Sequence, residues 1–347
     1  MLTGAGVNGR PLLTIAIPTF NRAGYLRTNL VQLRSELRGM PANRVEVLVS
    51  DNCSPDATPA VVQEAIGAGL DVRYVRNAEN LGWGRNFAQC YDLARGTYVL
   101  LLGDDDVFLD GTLRSLVDRL WSNEFGVVVL KAYGYDNDFR LEYPGGAAKE
   151  RVFTDSNRFF LAVGPLITLT SSCVINKSLL AGFSLDGYVH GDLATLPLVL
   201  RGASSAKANL FIDGYVIAGK RQNSFSYDYA QVFVGEMWRT IDQHVGPGLT
   251  RKTVRQLERR MLFSYYPFYA FDFRLARRGS LASMRRQFSE RFGCSMLYWS
   301  WLAPTILLPR PLALPWGALT TLIGRVFGGD LRRGIAFAWR RVSRFVG

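Results

Sequence analysis

A buried strand that runs into three adjacent carboxylates is the feature that most constrains this chain. The apolar and aromatic residues 98–102 have the length and character of a fully buried strand, and Gly103 and Asp104–Asp106 follow directly. Three neighbouring acids repel one another and are costly without a counter-charge. Mg²⁺ is a natural partner, because it favours one or two carboxylates together with substrate phosphates. The alternative is a solvated acidic turn that caps a helix beginning near Asp110.

Strands and helices alternate around this strand with short connections. We predict strands at 12–17, where Pro18 ends the strand, and at 45–50, 72–75, 97–102 and 126–131, with helices at 23–38, 58–68, 85–94 and 111–121. This alternation predicts an α/β fold with a mostly parallel sheet and helices on both faces. Ligands of such sheets bind outside the carboxyl ends of the strands. Three polar clusters follow strands, at 18–22, 51–52 and 104–106, so we expect one site along that edge.

The following segment is less regular. Residues 132–165 are rich in Gly, Tyr and charge and are predicted to form loops or an insertion, whereas the apolar stretch 165–176 is expected to return to the core. A helix at 193–200 and a strand at 211–218 are predicted next, followed by a polar loop at 219–229.

Cysteine and histidine usage limits the chemistry. The four cysteines are far apart and show no paired spacing, so neither a disulfide framework nor a thiolate zinc site is indicated, and a reducing compartment is expected. With only two histidines, a bound metal is expected to have oxygen ligands. Residues 1–10 contain no apolar signal-peptide segment and are predicted to be a flexible leader.

The positive charge is confined to the C-terminal part. Residues 251–347 contain 18 Lys/Arg and 4 Asp/Glu, a net charge of +14. The remaining 41 − 18 = 23 basic and 29 − 4 = 25 acidic residues give 1–250 a net charge of −2. A nearly neutral globular part with a basic, apolar tail indicates a membrane surface as partner and not nucleic acid.

The tail itself shows two kinds of segment. Residues 292–324 contain a single charge, Arg310, and prolines interrupt them, which predicts two short interfacial or re-entrant helices instead of one spanning helix. Residues 325–347 carry six arginines and one aspartate among apolar side chains, as in an amphipathic helix lying on anionic lipid. The alternative is an ordinary helix that packs on the globular part of the chain or forms an oligomer contact.

Four motifs resemble those of the family 2 glycosyltransferases, which have the GT-A fold. They are IPTFNR at 17–22, VSDNCSPD at 49–56, NAENLG at 77–82 and LGDDD at 102–106, and the resemblance covers about residues 12–230. It implies a catalytic domain at 11–235, with a nucleotide-sugar half at about 11–131 and an acceptor half at about 132–235. The region 236–347 would then be a helical, membrane-associating addition.

The resemblance also implies which residues bind the donor. In the family, the loop after the first strand lines the nucleotide pocket, the acid after the second strand bonds the base, and the acids after the fourth strand hold the ribose and a Mg²⁺ or Mn²⁺ on the diphosphate. Gly103 stands where the family usually has an acid, so the metal is assigned to Asp106 or Asp105. The other donor-binding residues implied here are Pro18, Thr19, Asn21, Arg22, Asp51, Asn80, Asp104 and, again, Asp105.

Two further segments are implied to meet the donor. Arg85 could add a positive group near the phosphates, or could be an ordinary surface arginine. The stretch 220–226 resembles a loop that closes on the diphosphate and often carries a histidine metal ligand. Because this chain has no histidine there, Arg221 and Asn223 are the candidates in its place.

An inverting transfer also needs a base for the acceptor hydroxyl. The family usually supplies it at a helix start 80–90 residues after the acidic motif, and His190-Gly191-Asp192 fits that place. Asp192 is the candidate base. His190 is the second candidate, because an imidazole titrates near neutral pH and therefore suits this task. The alternative for Asp192 is an N-cap of the helix at 193–200.

Together these features predict an inverting hexosyl- or deoxyhexosyltransferase. It would use a nucleotide-diphosphate sugar and a glycan, lipid-linked or lipopolysaccharide-type acceptor, at the cytoplasmic face of a bacterial membrane. One alternative is a sugar nucleotidyltransferase, for which a Gly-rich basic loop after the first strand would be expected. The other is a non-catalytic, membrane-bound glycan-binding scaffold on the same fold.

Overall fold

A computed structural model of the 347-residue chain describes residues 9–146, 149–221, 227–277 and 279–327. Most of the predicted leader, residue Asn223 and most of the predicted helix at 325–347 lie outside the described residues. The described residues form two compact units. The first comprises the described parts of Met1–Phe225 together with Thr240–Thr250. The second comprises the described parts of Ser226–Arg239 and Arg251–Gly347. The predicted boundary between 235 and 236 stays a prediction.

The first part of the chain alternates strands and helices as predicted. Its elements are β1 (Leu13–Thr19), α1 (Ala23–Leu37), β2 (Val45–Asp51), α2 (Thr58–Gly67), β3 (Val72–Arg76), α3 (Trp83–Leu93) and β4 (Tyr98–Leu101). These four strands are parallel and lie in the order β3-β2-β1-β4. Their carboxyl ends therefore share one edge of the sheet, as the sequence predicted.

The second part extends the sheet with a different pattern. Its elements are β5 (Asp106–Phe108), α4 (Thr112–Ser122), β6 (Val127–Tyr135), β7 (Glu150–Phe153), α5 (Ser156–Val163), β8 (Cys173–Asn176), α6 (Leu196–Ser205) and β9 (Asn209–Lys220). The order continues β8-β6-β9-β5, with β7 also pairing with β9. β8 is antiparallel to both β4 and β6, and β5 and β7 are antiparallel to β9. The α/β fold is confirmed, but the sheet is mixed in this half.

Several boundaries differ from the sequence prediction. β6 runs four residues beyond 131, and 132–165 also contains β7 and α5, so the prediction of loops there was wrong in part. The stretch 165–176 does return to the core, because β8 is fully buried. The acidic loop leads into the short strand β5 before α4, and α6 begins at Leu196 instead of 193.

Pro18 lies inside β1, so the prediction that it ends the strand was wrong. It pairs in register with Ser50 of β2. Even-numbered residues of β1 direct their backbone groups toward β4, as shown by the bond from the Leu102 amide to the Ala16 carbonyl. β4 ends at Leu101, so no partner strand needs an N–H from residue 18.

A ladder of buried polar side chains on α1 braces the chain that follows β4. The Asn29 side-chain amide donates to the carbonyl oxygens of Gly103 (3.1 Å) and Asp106 (2.6 Å). The Gln32 amide donates to the Phe108 carbonyl at 3.0 Å, one turn along the helix.

The last member of this ladder is Glu36. Its carboxylate accepts from the backbone amides of Gly111 (2.7 Å) and Leu113 (3.1 Å), where α4 begins. The four first amides of a helix have no partner within it, so Glu36 caps α4 from a different helix.

The C-terminal part is helical. Its regular helices are α7 (Met237–Gln243), α8 (Arg251–Arg260), α9 (Tyr266–Ala276), α10 (Leu281–Phe292), α11 (Ala303–Leu307) and α12 (Arg310–Phe327), with wider turns at Gln231–Glu236, Met261–Tyr265 and Tyr298–Leu302. Two helices, α11 and α12, thus cover most of 298–324, but α12 continues through Pro315. Within the described ranges, none of the helices combines the length and apolarity needed to cross a bilayer.

We predict that Glu36→Ala destabilises the protein by about 1–3 kcal/mol, because two backbone amides at the start of α4, one of them buried, lose their charged acceptor. Chemical denaturation checks this value. Glu64→Ala is the control, since Glu64 pairs with Arg27 in an exposed ion pair that contributes about 0–1 kcal/mol. Equal stability of the Glu36→Ala and Glu64→Ala variants would contradict the bracing role.

Candidate active site

The three polar clusters predicted to share an edge do so. Thr19 ends β1 beside Asp51 at the end of β2, and the Thr19 hydroxyl donates to Asp104 Oδ2 at 2.8 Å. Asn21 follows with a left-handed backbone (φ 55°), and its amide donates to the Ser54 hydroxyl at 2.9 Å. The loops after β1, β2 and β4 are therefore joined directly, although their residues are more than 30 positions apart.

Arg22 pairs with two of the three acids. Its Nη1 lies 3.0 Å from Asp104 Oδ1 and its Nη2 lies 2.7 Å from Asp105 Oδ2. The guanidinium also lies over the Tyr25 ring, 4.7 Å from its centroid. All three charged side chains are nearly buried, which strengthens their attraction. One arginine balances one of three negative charges, so the cluster keeps a net charge of −2 when all three acids are ionised.

Burial and the excess negative charge raise the pKa values of two of these carboxyl groups. Burial raises the pKa of Asp104 to about 7, although Arg22 and the Thr19 hydroxyl act in the opposite direction. Burial, and then the neighbouring charge of Asp105, also raises the pKa of Asp106 above its usual range, against a hydrogen bond from Ser171. An additional cation would favour the ionised forms of these groups.

Two glycines make room for the Asp106 carboxylate. A Cβ atom at Gly103 would lie 3.0 Å from Asp106 Oδ2 and 3.1 Å from Asp105 Oδ1. A Cβ atom at Gly219, which pairs with Asp106 across β5 and β9, would lie 3.0 Å from Asp106 Oδ1. An acid at position 103 would crowd these oxygens, which gives a physical reason for the glycine there.

The space around the Asp106 carboxylate and the unbalanced negative charge of Asp104–Asp106 fit a divalent ion bound by one or two carboxylates. Among the described residues, no group of three or more His, Cys, Asp or Glu side chains is arranged to hold a metal. An ion here would therefore rely on phosphate oxygens and water for its other ligands, as Mg²⁺ often does. Asp105 is already paired with Arg22, so Asp106 is the better of the two predicted ligands.

Asp51 is fully buried and already bonded. It accepts from the Ser54 amide at 2.8 Å and from the Tyr74 hydroxyl at 2.6 Å, and Arg76 Nε lies 3.4 Å away. A nucleotide base could reach its Oδ2 only if Tyr74 or Arg76 moved. The predicted role of Asp51 in binding the base stays a prediction.

The third motif forms a network of amides beside β2. Asn52 donates to Asn80 Oδ1 at 2.7 Å and accepts from the amides of Asn77 and Leu81. Asn80 thus shapes the turn that leads into α3. Arg85 is exposed in the first turn of α3, so it could contact a ligand in solution.

The predicted catalytic loop lies beside the start of α3. Gly84 is so close to this loop that a Cβ atom would overlap the Val189 carbonyl oxygen. His190 and Asp192 follow and are both exposed. Thr195 precedes α6, so Asp192 is not its N-cap and that alternative was wrong. Partial burial raises the pKa of Asp192, which makes the carboxylate a better proton acceptor.

Arg221 pairs with two acidic side chains of a neighbouring loop. Its Nη1 lies 3.1 Å from Asp136 Oδ2 and 3.3 Å from Glu142 Oε2, in the loop that follows β6. Glu142 also accepts from the backbone amides of Asp136 and Asn137. Arg221 therefore stabilises this loop, and its contact with a donor stays a prediction.

The sequence analysis missed two residues that hold the acidic loop. Asn29 bonds the carbonyl groups on both sides of Asp104–Asp105, and the Ser171 hydroxyl accepts from the Gly103 amide at 2.9 Å. A signal for Asn29 was present, because it is a polar residue next to the apolar positions Leu26, Leu30 and Leu33 of the same helix. Nothing in the sequence near Ser171 indicated its role.

Comparisons with known proteins agree with this geometry. The family model described as Glycosyl transferase family 2 matches residues 14–182. The chain is 32% identical over 106 residues to a protein named abequosyltransferase RfbV from Salmonella typhimurium, covering 30% of this chain and 31% of that one. It is 27% identical over 192 residues to a protein named GalNAc(5)-diNAcBac-PP-undecaprenol beta-1,3-glucosyltransferase from Campylobacter jejuni, covering 54% and 58%. The chain thus spans less than two thirds of these relatives.

Solved structures share the fold over most of the chain. TarS of S. aureus, in complex with UDP-GlcNAc, has a TM-score of 0.59 at 15% identity and is covered to 92%, as is this chain. A mannosyltransferase from Pyrobaculum calidifontis, in complex with GDP-Man and Mn²⁺, has a TM-score of 0.50 at 16% identity, with 90% and 87% covered. Residues 14–182 of this chain therefore match the glycosyl transferase family 2 model, and the architecture is the GT-A fold.

Proposed function

We propose that this protein transfers a hexose or deoxyhexose, with inversion, from a nucleoside diphosphate to a hydroxyl of a lipid-linked glycan or lipopolysaccharide-type acceptor. The observation that carries the proposal is the acidic loop Asp104–Asp106, which is only partly neutralised and lies at the carboxyl edge of parallel strands. The family match supports the sugar transfer. The name of the Campylobacter relative, which includes GalNAc(5)-diNAcBac-PP-undecaprenol, supports a lipid-linked glycan acceptor.

The acidic loop is proposed to bind the donor diphosphate together with Mg²⁺ or Mn²⁺, with Asp106 as the principal ligand and Asp105 as the second. A bound divalent ion would stabilise the negative charge that develops on the leaving nucleoside diphosphate. Arg22 and Thr19 hold Asp104 and Asp105 in place, so the loop is ordered before the donor arrives. Such preorganisation lowers the cost of reaching the reactive geometry.

Asp192 is proposed as the general base. It is exposed, follows the loop that contacts α3, and has a raised pKa, so it can accept a proton from an acceptor hydroxyl. Inversion needs such a base on the side opposite the leaving group. His190, two residues earlier and also exposed, is the second candidate.

The location is proposed to be peripheral, at the cytoplasmic face of a bacterial membrane. The net charge of +14 in 251–347 supports this, since basic and apolar residues together bind anionic lipid surfaces. A membrane surface would also bring the site close to a lipid-linked acceptor.

We predict that UDP or another nucleoside diphosphate raises the melting temperature more with Mn²⁺ than without, because ligand binding stabilises the native state. Asp106→Asn should abolish the Mn²⁺-dependent part of the rise in melting temperature and lower sugar transfer at least 100-fold. Asp105→Asn should have a smaller effect on both. Thermal-shift and radiolabelled-transfer assays measure both. Asp118→Asn, on the exposed face of α4, is the control. Full activity of Asp106→Asn would reject the site assignment.

We predict that Asp192→Asn lowers kcat by about 10²–10⁴-fold, the usual contribution of a general base, while the donor KM and the nucleotide-induced thermal shift stay unchanged. Steady-state kinetics with varied donor separates the two parameters. Asp186→Asn, an exposed aspartate in the same segment, should keep the wild-type kcat. If His190→Ala and not Asp192→Asn shows this pattern, the base is His190.

A further inference from the structure

The helix α12 buries small residues and exposes large apolar ones, which is the reverse of an ordinary surface helix. Its buried positions are Ala313, Gly317, Thr320 and Gly324, spaced by three or four residues along one face. Five of its large apolar side chains are exposed: Leu312, Leu319, Leu322, Val326 and Phe327 have exposed fractions of 48–77%. A helix on a water-facing surface normally buries its large apolar residues and exposes charged ones.

The small residues allow close packing within the C-terminal unit. A Cβ atom at Gly317 would lie 2.9 Å from Thr305 Cγ2 and 3.1 Å from a Phe271 ring carbon. A Cβ atom at Gly324 would lie 2.7 Å from the Phe263 carbonyl oxygen. These contacts fix which face of α12 is turned inward, so the helix cannot rotate to bury its leucines without losing them.

The outward face carries no charge between Arg310 and Arg325. Both arginines are engaged at the ends of the helix: Arg310 Nη2 donates to the Leu275 carbonyl at 3.3 Å, and the Arg325 guanidinium lies over the Phe268 ring, 4.3 Å from its centroid. The helix thus presents a continuous apolar strip to its surroundings. Exposed apolar patches of this kind mark contact surfaces.

We propose that this strip, defined as Leu312, Leu319, Leu322, Val326 and Phe327, inserts into the interfacial layer of an anionic lipid bilayer. This inference builds on the membrane location proposed above, and it names the surface that makes the contact. The helix lies in the membrane plane and does not cross it, in keeping with the membrane-span finding for the described helices.

The charge of the following sequence favours a bilayer over a second copy of the chain. Residues 328–347 contain five arginines and one aspartate, a net charge of +4, directly after the strip. A second copy of the chain would contribute the same excess of arginines, and like charges repel. Anionic headgroups complement them, and each basic residue near such a surface adds about 1 kcal/mol of attraction.

The test is flotation of the full-length protein with vesicles of phosphatidylcholine and phosphatidylglycerol. We expect the wild type to float and the double variant Leu319→Gln/Leu322→Gln to bind at least tenfold more weakly, because each inserted leucine contributes about tenfold or more. Both positions are exposed, so the variant should keep the wild-type melting temperature. The control Leu141→Gln/Val152→Gln changes two exposed apolar residues of the first unit and should float like the wild type.

Two results would overturn the inference. One is wild-type flotation by the double variant. The other is conversion of a wild-type dimer to a monomer by the same substitutions, measured by light scattering without vesicles, which would identify a second copy as the partner. Sugar transfer to a soluble acceptor separates this inference from the proposed function: retained transfer without flotation rejects only the membrane strip, and flotation without transfer rejects only the enzyme assignment.

Discussion

The paired contact of Arg22 with Asp104 and Asp105 is the interaction on which the rest of the site depends. Without it, three adjacent and largely buried carboxylates would repel one another and distort the loop. The arginine comes from the loop after β1, so the contact also fixes that loop against the end of β4. The polar side chains of α1 also hold the segment that follows β4, because they bond its backbone carbonyls and amides. The fold thereby tolerates the negative charge that is proposed to bind the donor.

The parallel half of the sheet could be predicted from the sequence because its signals are local. Apolar runs, turn residues and helix periodicity place β1 to β4 within about two residues, and parallel strands bring their ends together by necessity. The residues Thr19, Arg22 and Asp104 were identified in this way, and they are in contact.

The second half depended on contacts between distant residues. β8 inserts in antiparallel sense between β4 and β6, and β5 consists of only three residues, which pair with the distant strand β9. No local pattern reveals such pairings. For the same reason the roles of Asn29 and Ser171 were missed, since each is defined by a loop more than 65 positions away. The ion pairs of Arg221 with Asp136 and Glu142 were not foreseen for the same reason, because these acids lie about 80 positions earlier in the chain.

The close approach of Gly84 to Val189 has a consequence for how such an enzyme could change its acceptor. The turn that opens α3 belongs to the predicted nucleotide-sugar half and the loop at 187–192 to the predicted acceptor half, yet their backbones touch where no side chain fits. The two halves are therefore not exchangeable modules. Replacing the acceptor loop with one of another shape would require a matching change at the start of α3, about a hundred residues earlier in the chain. New acceptor specificity is then expected to evolve by side-chain substitution within this loop more readily than by its replacement.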